Sequence, residues 1–189
     1  MNIVTHHQNR MRVLIAAVVP ALAVLGWTSA LAGPSDIELE IMQSSKLSLA
    51  DAITTAERET GGQVIEAELD EDDDMFFYKL EVLRDDDLVL VYINPASGVV
   101  VGTREPGLVR GASRGSAQQS AEAVRGAKVS LSQALGIAEQ RTGGRAVEIE
   151  LEREGAGYIY EVTTIQPGLE HDLEIDIQSG SILDVDEDD

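Results

Sequence analysis

The chain contains one stretch of sequence twice. Residues 47–69 read LSLADAITTAERETGGQVIEAEL and residues 129–151 read VSLSQALGIAEQRTGGRAVEIEL, aligned without a gap. Such self-similarity is the signature of one structural unit repeated, so a fold that suits the first copy must also suit the second. Further on, Tyr78-Lys79-Leu80-Glu81-Val82 is echoed by Tyr158-Ile159-Tyr160-Glu161-Val162, and Ser97-Gly98 by Ser179-Gly180. This alignment makes the first hairpin of the second copy slightly shorter than that of the first.

Each copy opens with the signals of a helix. Ser48 with Asp51, and Ser130 with Gln133, have the spacing of a capping box, in which side chains satisfy amides that have no partner inside the helix. Leu49, Ala52, Ile53 and Ala56 then fall at helical spacing, as do Leu131, Ala134, Leu135 and Ala138, so each helix has one narrow apolar stripe that must be covered. Gly61-Gly62 and Gly143-Gly144 end the helices, because glycine enters the left-handed region without steric cost. After the glycines the period changes to two. Ile65, Ala67 and Leu69 alternate with Glu66 and Glu68, and Val147, Ile149 and Leu151 with Glu148 and Glu150, which predicts strands with one dry and one wet face. Further strands are predicted over 76–83, 88–93, 158–164, 173–177 and 182–185, with a short apolar return through Val99, Val100 and Val101. One helix followed by an antiparallel meander is an α+β unit, the helix packed across one face of a three- to four-stranded sheet.

The order of these signals resembles the PepSY domain: a capped helix with small apolar positions, a Gly-Gly stop, an alternating acidic strand, Tyr-x-x-Glu-Val, and a strand closed by an Asp-x-x-x-Gly turn. The second copy keeps that turn as Asp176 to Gly180, while the first has Asn94 in the aspartate position. The resemblance implies two tandem cystatin-like units of bacterial exported or membrane proteins, and a role in regulating or inhibiting proteases. It brings no catalytic residues with it.

The N-terminus sets the compartment. Arg10 and Arg12 precede an apolar run from Val13 to Trp27, followed by Thr28-Ser29-Ala30-Leu31-Ala32, the order of a secretory signal with small residues at the cleavage site. Residues 1–32 therefore read as a signal peptide cut after Ala32; the competing reading is a retained membrane anchor, since the run is about long enough to span a bilayer. After cleavage no stable membrane insertion is expected, and the protein is periplasmic or secreted. Residues 33–46 form an N-terminal segment whose Ile37, Leu39 and Ile41 alternate as in an extra strand. The first domain covers 47–102, and the second, with its acidic tail, 129–189. Residues 103–128 are rich in Gly, Ser, Ala and Gln and read as a flexible linker. Its Arg104, Arg110, Arg114, Arg125 and Lys128 serve either as a solvated tether or as a segment that folds back on the acidic domains.

Charge and residue types exclude several functions. With 14 Lys and Arg against 34 Asp and Glu, the net charge is -20. Phosphate backbones and anionic lipids are repelled, because their binding needs clustered cations. There is no cysteine, and His171 is the sole histidine beyond the signal, placed at a surface or rim position; a Cys-His pair is impossible and zinc ligation is excluded in practice. The carboxylates lie on wet strand faces and turns, where ordinary ionisation is expected and not the split environments that acid-base catalysis needs. No cofactor is implied. Asp70, Asp72 and Asp74 in the first acidic turn are weak candidates for calcium, since the EF-hand spacing is missing. The strand 88–93 is apolar on both faces, and Phe77 shares its outer face with Leu88, Leu90 and Tyr92. An apolar outer face must be covered, either within the chain by the other copy or by residues 37–41, or by a protein partner. The sequence thus points to an exported non-enzymatic module that binds a protein such as a protease or an envelope sensor. The alternative is a calcium-responsive sensor or buffer working through the acidic turns.

Overall fold

The structure of the protein, a computed structural model, describes residues 40–41, 43–72, 75–84, 87–105, 111–155 and 157–188. The order of elements is α1 (Leu49–Thr60), β1 (Gln63–Asp72), β2 (Met75–Arg84), β3 (Asp87–Ile93), β4 (Val100–Arg104), α2 (Gly111–Gly126), α3 (Leu131–Thr142), β5 (Arg145–Glu154), β6 (Gly157–Gln166), β7 (Leu169–Asp176) and β8 (Ile182–Asp188). The signal segment and its cleavage site at Ala32 lie outside the described residues, as do Ile37 and Leu39. Among the described residues no helix is long and apolar enough to cross a membrane.

Both helices of the repeats start and stop as their sequences dictate. Ser48 and Ser130 are N-caps with complete capping boxes, and Gly61 and Gly143 take left-handed φ values of 69° and 76° at the C-caps. The second glycine of each pair has a different task. A Cβ on Gly62 would lie 2.6 Å from the Leu83 carbonyl oxygen, and one on Gly144 would lie 2.8 Å from that of Ile165. These glycines let the backbone of the incoming strand pass against β2 or β6. A helix glutamate finishes each corner: Glu57 accepts from the Val64 amide at 3.3 Å, and Glu139 from the Ala146 amide at 3.1 Å. Both amides sit where β1 and β5 have a bulge, between Val64 and Glu66 and between Ala146 and Glu148. A bulge strands an amide that the neighbouring strand cannot satisfy.

The two buried phenols correct the alignment of the repeats. Tyr78 donates to the Leu47 carbonyl at 2.8 Å, and Tyr160 donates to the Val129 carbonyl at 3.1 Å, each tying the sheet to the residue before a helix cap. Burial pushes both phenols up to about 12. Tyr160, not Tyr158, is therefore the counterpart of Tyr78, and the hairpin pairs Asp72–Met75 and Glu154–Gly157 are equivalent. The second copy has no shortened hairpin. A motif of five residues misled because Tyr158 and Tyr160 share one strand, and only burial tells them apart.

The eight strands form one antiparallel sheet in the order β4-β3-β2-β1-β5-β6-β7-β8. Helices α1 and α3 pack on the same side and touch each other, and their stripes share a single core with Ala67, Tyr78, Leu80, Ile149, Tyr160 and Val162. The two copies are thus halves of one layer pair. This matters physically, because a unit of about 60 residues buries too little surface to be more than marginally stable alone.

Two connecting segments differ from expectation. Residues 103–128 are not a flexible linker throughout: β4 runs to Arg104, and residues 111–126 form α2, which packs against β1, β2 and β3. The reason is burial, since Ala121 is enclosed by Ile65, Leu83 and Leu88 and Val124 joins the main core. In the 33–46 segment, Glu40, Ile41, Gln43 and Ser44 are helical rather than extended. The hydroxyls of Ser44 and Ser45 donate back to the Ile41 carbonyl at 2.9 and 2.7 Å, which closes a turn and competes with strand pairing.

The corner geometry predicts different costs for the two glycines of each pair. Gly62→Ala and Gly144→Ala should each lower stability to urea by about 1–3 kcal/mol, because the methyl meets fixed backbone. Gly61→Ala and Gly143→Ala should cost about 1 kcal/mol from φ alone. Wild-type stability in Gly62→Ala and Gly144→Ala would contradict the close approach.

Candidate functional site: the sheet face opposite the repeat helices

The face of the sheet opposite α1 and α3 is built by register. Where the copies meet, β1 and β5 pair as Glu66–Glu150, Ala67–Ile149 and Glu68–Glu148. Ala67 and Ile149 are equivalent positions of the two copies, so the seam has the self-complementary form of a two-fold interface. Such an interface sets a surface against its own copy. Here that surface is the acidic side of an alternating strand, and glutamate is placed opposite glutamate on both sides of the axis.

The row extends well beyond the seam. Glu81, Glu66, Glu150, Glu161, Glu174 and Asp184 are direct cross-strand neighbours on β2, β1, β5, β6, β7 and β8. Like charges directly opposite one another in a sheet are destabilising, with Cβ atoms about 5 Å apart. The carboxylates of Glu150, Glu152 and Glu161 come within 4.8 Å of one another. A parallel row places Lys79, Glu68, Glu148, Thr163 and Asp172 side by side. In it Lys79 forms an ion pair with Glu68, and Thr163 donates to Asp172 at 2.6 Å.

This crowding shows in the acidities. Glu66 is pushed from the ordinary 4.5 up to about 8, first by burial, then by the charges of Glu81, Glu68 and Glu150, with Lys79 acting in the opposite direction. Glu174 is raised as well, by burial and then by Glu154, Asp184, Glu161 and Asp186. Ordinary ionisation of all strand carboxylates is therefore corrected at these positions, because pairing of the copies partly buries Glu66 beside three like charges. The group lies on a sheet face; two cavities of about 470 and 390 Å³ beside α2 are not lined by Glu66.

The predicted partner residues are only partly brought together. Phe77 and Tyr92 are half-buried and meet edge to face, their ring centres 5.3 Å apart. Leu90 is 3% exposed, and Leu88 packs with Ile65, Leu83 and Ala121 of α2. The outer face of β3 is thus covered in part from within the chain, by a segment that composition had marked as linker. Asp70 and Asp72 belong to no group of three potential metal ligands among the described residues, and Asp74 lies outside them. His171 is buried, not at a rim. Its Nε2 faces the Glu187 carboxylate at 3.2 Å, and the equivalent residue of the first copy is Val89.

Sequence reasoning missed the carboxylate row. Its signal was present, since Glu66, Glu68, Glu148 and Glu150 alternate identically in both copies. What it lacked was the knowledge that these two strands pair with each other.

A family profile described as Peptidase propeptide and YPEB domain, PepSY, matches residues 46–104 and 128–186. The fold is similar to the crystal structure of a protein from Clostridium difficile 630 described as a candidate lipoprotein. The TM-score is 0.51 and the identity 20%, over 76% of this chain and 95% of that one. The C-terminal domain of YpeB from Bacillus megaterium aligns at a TM-score of 0.26 and 15% identity, over 76% of this chain and 66% of that one. Comparison with the curated proteins finds no match.

The raised acidity of Glu66 has a definite consequence for stability. Below about pH 4.5 folded and unfolded chains both hold the proton; above it the unfolded chain releases the proton first, and the folded chain keeps it to about 8. This residue's contribution therefore declines as pH rises from about 4.5 to about 8 and is level beyond that range. Glu66→Gln should gain on the wild type across that window, by about 2 to 4 kcal/mol at its end. Urea unfolding of both proteins as a function of pH measures the difference, and parallel curves would refute it.

Proposed function

The chain belongs to the PepSY family and carries the domain twice in one continuous sheet; on that premise we propose that it is an exported protein-binding module that restrains or regulates a peptidase or an envelope sensor. The PepSY domain is a non-catalytic module associated with peptidase propeptides and YpeB-like proteins. Peptidase regulation is supported by that association, and export by the signal-like N-terminus.

The observation that carries the binding reading is the composition of the face opposite α1 and α3. At its first-copy end, Phe77 and Tyr92 offer a partly exposed aromatic pair beside Lys79. From the seam onward it presents consecutive carboxylates. Aromatic side chains supply contact area at low entropic cost, and charge complementarity steers approach and fixes register. A basic polypeptide segment that ends in an apolar side chain suits both parts: its cations lie along the glutamates and its apolar residue rests on the ring pair.

The test uses chemical cross-linking in the cell envelope followed by quantitative identification of captured proteins. Phe77→Ala with Tyr92→Ala should leave the fold intact and reduce capture of specific partners about tenfold or more, the usual loss when an interface anchor is truncated. An exported peptidase or sensor should be among the proteins lost, and its activity should respond to addition of the purified chain. A capture profile that is identical for both proteins would overturn the reading.

A further inference from the structure

The registers at the centre of the sheet carry an inference about control. We infer that the β1–β5 seam is a proton-responsive joint between the two repeats, tightened when its glutamate row takes up protons and loosened when that row is fully ionised.

The geometry supports this on three counts. The seam is short: β1 pairs with β5 over Glu66–Glu150, Ala67–Ile149 and Glu68–Glu148, whereas β1 pairs with β2 from Gln63–Leu83 to Asp72–Met75. Two of its three pairs oppose glutamate to glutamate, and the row continues on both sides as Glu81 and Glu161. The third pair is buried beneath, where the contact of α1 with α3 also holds the copies together. Apolar contact thus lies on the helix side, and on the other side Glu66 faces Glu150 and Glu81 while Lys79 pairs with Glu68, the arrangement of a hinge that opens on one face.

The groups around Glu66 fix the direction of the response. Glu68 stands on its own strand, Glu81 and Lys79 on β2, and Glu150 on β5; burial and the three carboxylates favour the protonated form, and Lys79 opposes them. From the other side of β1, α1 contributes Glu57, which is engaged by Gln63 and the Val64 amide. Helix α2 packs at the Ile65 end and carries Glu122 and Arg125, which line cavities away from the row. Losing the proton therefore adds a charge where three others already stand, at the point where the copies have fewest strand hydrogen bonds. Phe77 and Tyr92 lie on one side of the joint, and Glu150, Glu161 and Glu174 on the other. The expectation that pH also tunes partner binding rests on the proposed function, whereas the joint itself rests on register.

The natural chain has no cysteine, so a single introduced thiol reports local opening without interference. Ala67→Cys places the thiol in the buried side of the seam, and Val91→Cys places one in β3, equally buried and two strands away. Thiol-labelling rates of the full chain are compared at about pH 6 and about pH 9, either side of the Glu66 value of about 8, each divided by the rate of the unfolded chain. The Ala67→Cys rate should rise about tenfold or more, the linkage of one pKa unit. The Val91→Cys rate should rise clearly less than the seam rate, since it reports only whole-chain unfolding, and adding Glu66→Gln with Glu150→Gln should abolish the excess rise at Ala67→Cys. If Ala67→Cys fails to fold, Ile149→Cys reads the same seam from the opposite strand. The inference is overturned by a flat seam profile, by equal rises at both sites, or by an excess rise that survives the two glutamine substitutions. No partner is needed, so failure here is separate from failure of the binding reading.

Discussion

The antiparallel contact of β1 with β5 about Ala67 and Ile149 determines most of what is distinctive in this molecule. It joins two four-stranded meanders into one sheet and puts α1 and α3 side by side on the same face. It also converts two marginal cores into a single one, because the residues under both helices become continuous across Ala67, Ile149 and their neighbours. The edges left over are β4 and β8. The acidic side chains Asp184, Asp186 and Glu187 of β8 discourage further strand addition there, as charged edges commonly do.

The same contact creates an electrostatic load. Two-fold pairing brings each strand against its own copy, and a strand whose wet face is glutamate at alternate positions can only meet glutamate. Isolated on a surface, these side chains would ionise at ordinary values and matter little. In register across six strands Glu66 and Glu174 do not, and the elevation of Glu66 to about 8 shows how far burial and crowding oppose its charge. The apolar helix side therefore supplies the cohesion of the sheet, while the opposite side holds charges in proximity against their repulsion. Tyr78 and Tyr160 reinforce the cohesive side, since each phenol ties its central strand to the residue before a helix cap.

Local features were legible from the residues alone, because local chemistry determines them. Ser48 with Asp51, Ser130 with Gln133, the left-handed Gly61 and Gly143, and the alternation of β1 and β5 all appear where spacing places them. What escaped depends on contacts between distant residues. Helix α2 contains three glycines and three serines, which weaken the preference its alanines supply; Ala121 and Val124 find covered positions that hold it in place. A tyrosine at 158 or at 160 satisfies the pattern equally, so the motif alone does not single out Tyr160 as the counterpart of Tyr78. The bulges near Val64 and Ala146 left no trace in a simple alternation. The glutamate row needs the pairing of residues that lie about 80 positions apart, which no short window contains.

Duplication within one chain also permits something that association of identical chains does not. In a symmetric dimer both halves of the open face would be the same. Here the counterparts of Leu90 and Tyr92 are Asp172 and Glu174, and the counterpart of Lys79 is Glu161. Each copy keeps its helix stripe and corner, including the Asn94 and Asp176 turns, whose side-chain oxygens accept from the Ser97 and Ser179 amides at 2.9 and 2.7 Å, although core Val82 and Val89 are matched by buried Thr164 and His171. On the side away from α1 and α3 the first copy carries Lys79, Leu90 and Tyr92 where the second carries Glu161, Asp172 and Glu174. Cohesion requires one face of the sheet to stay buried, and the other face is free to differ in charge. A two-fold scaffold can thereby carry a surface with direction, able to distinguish the two ends of whatever lies across it.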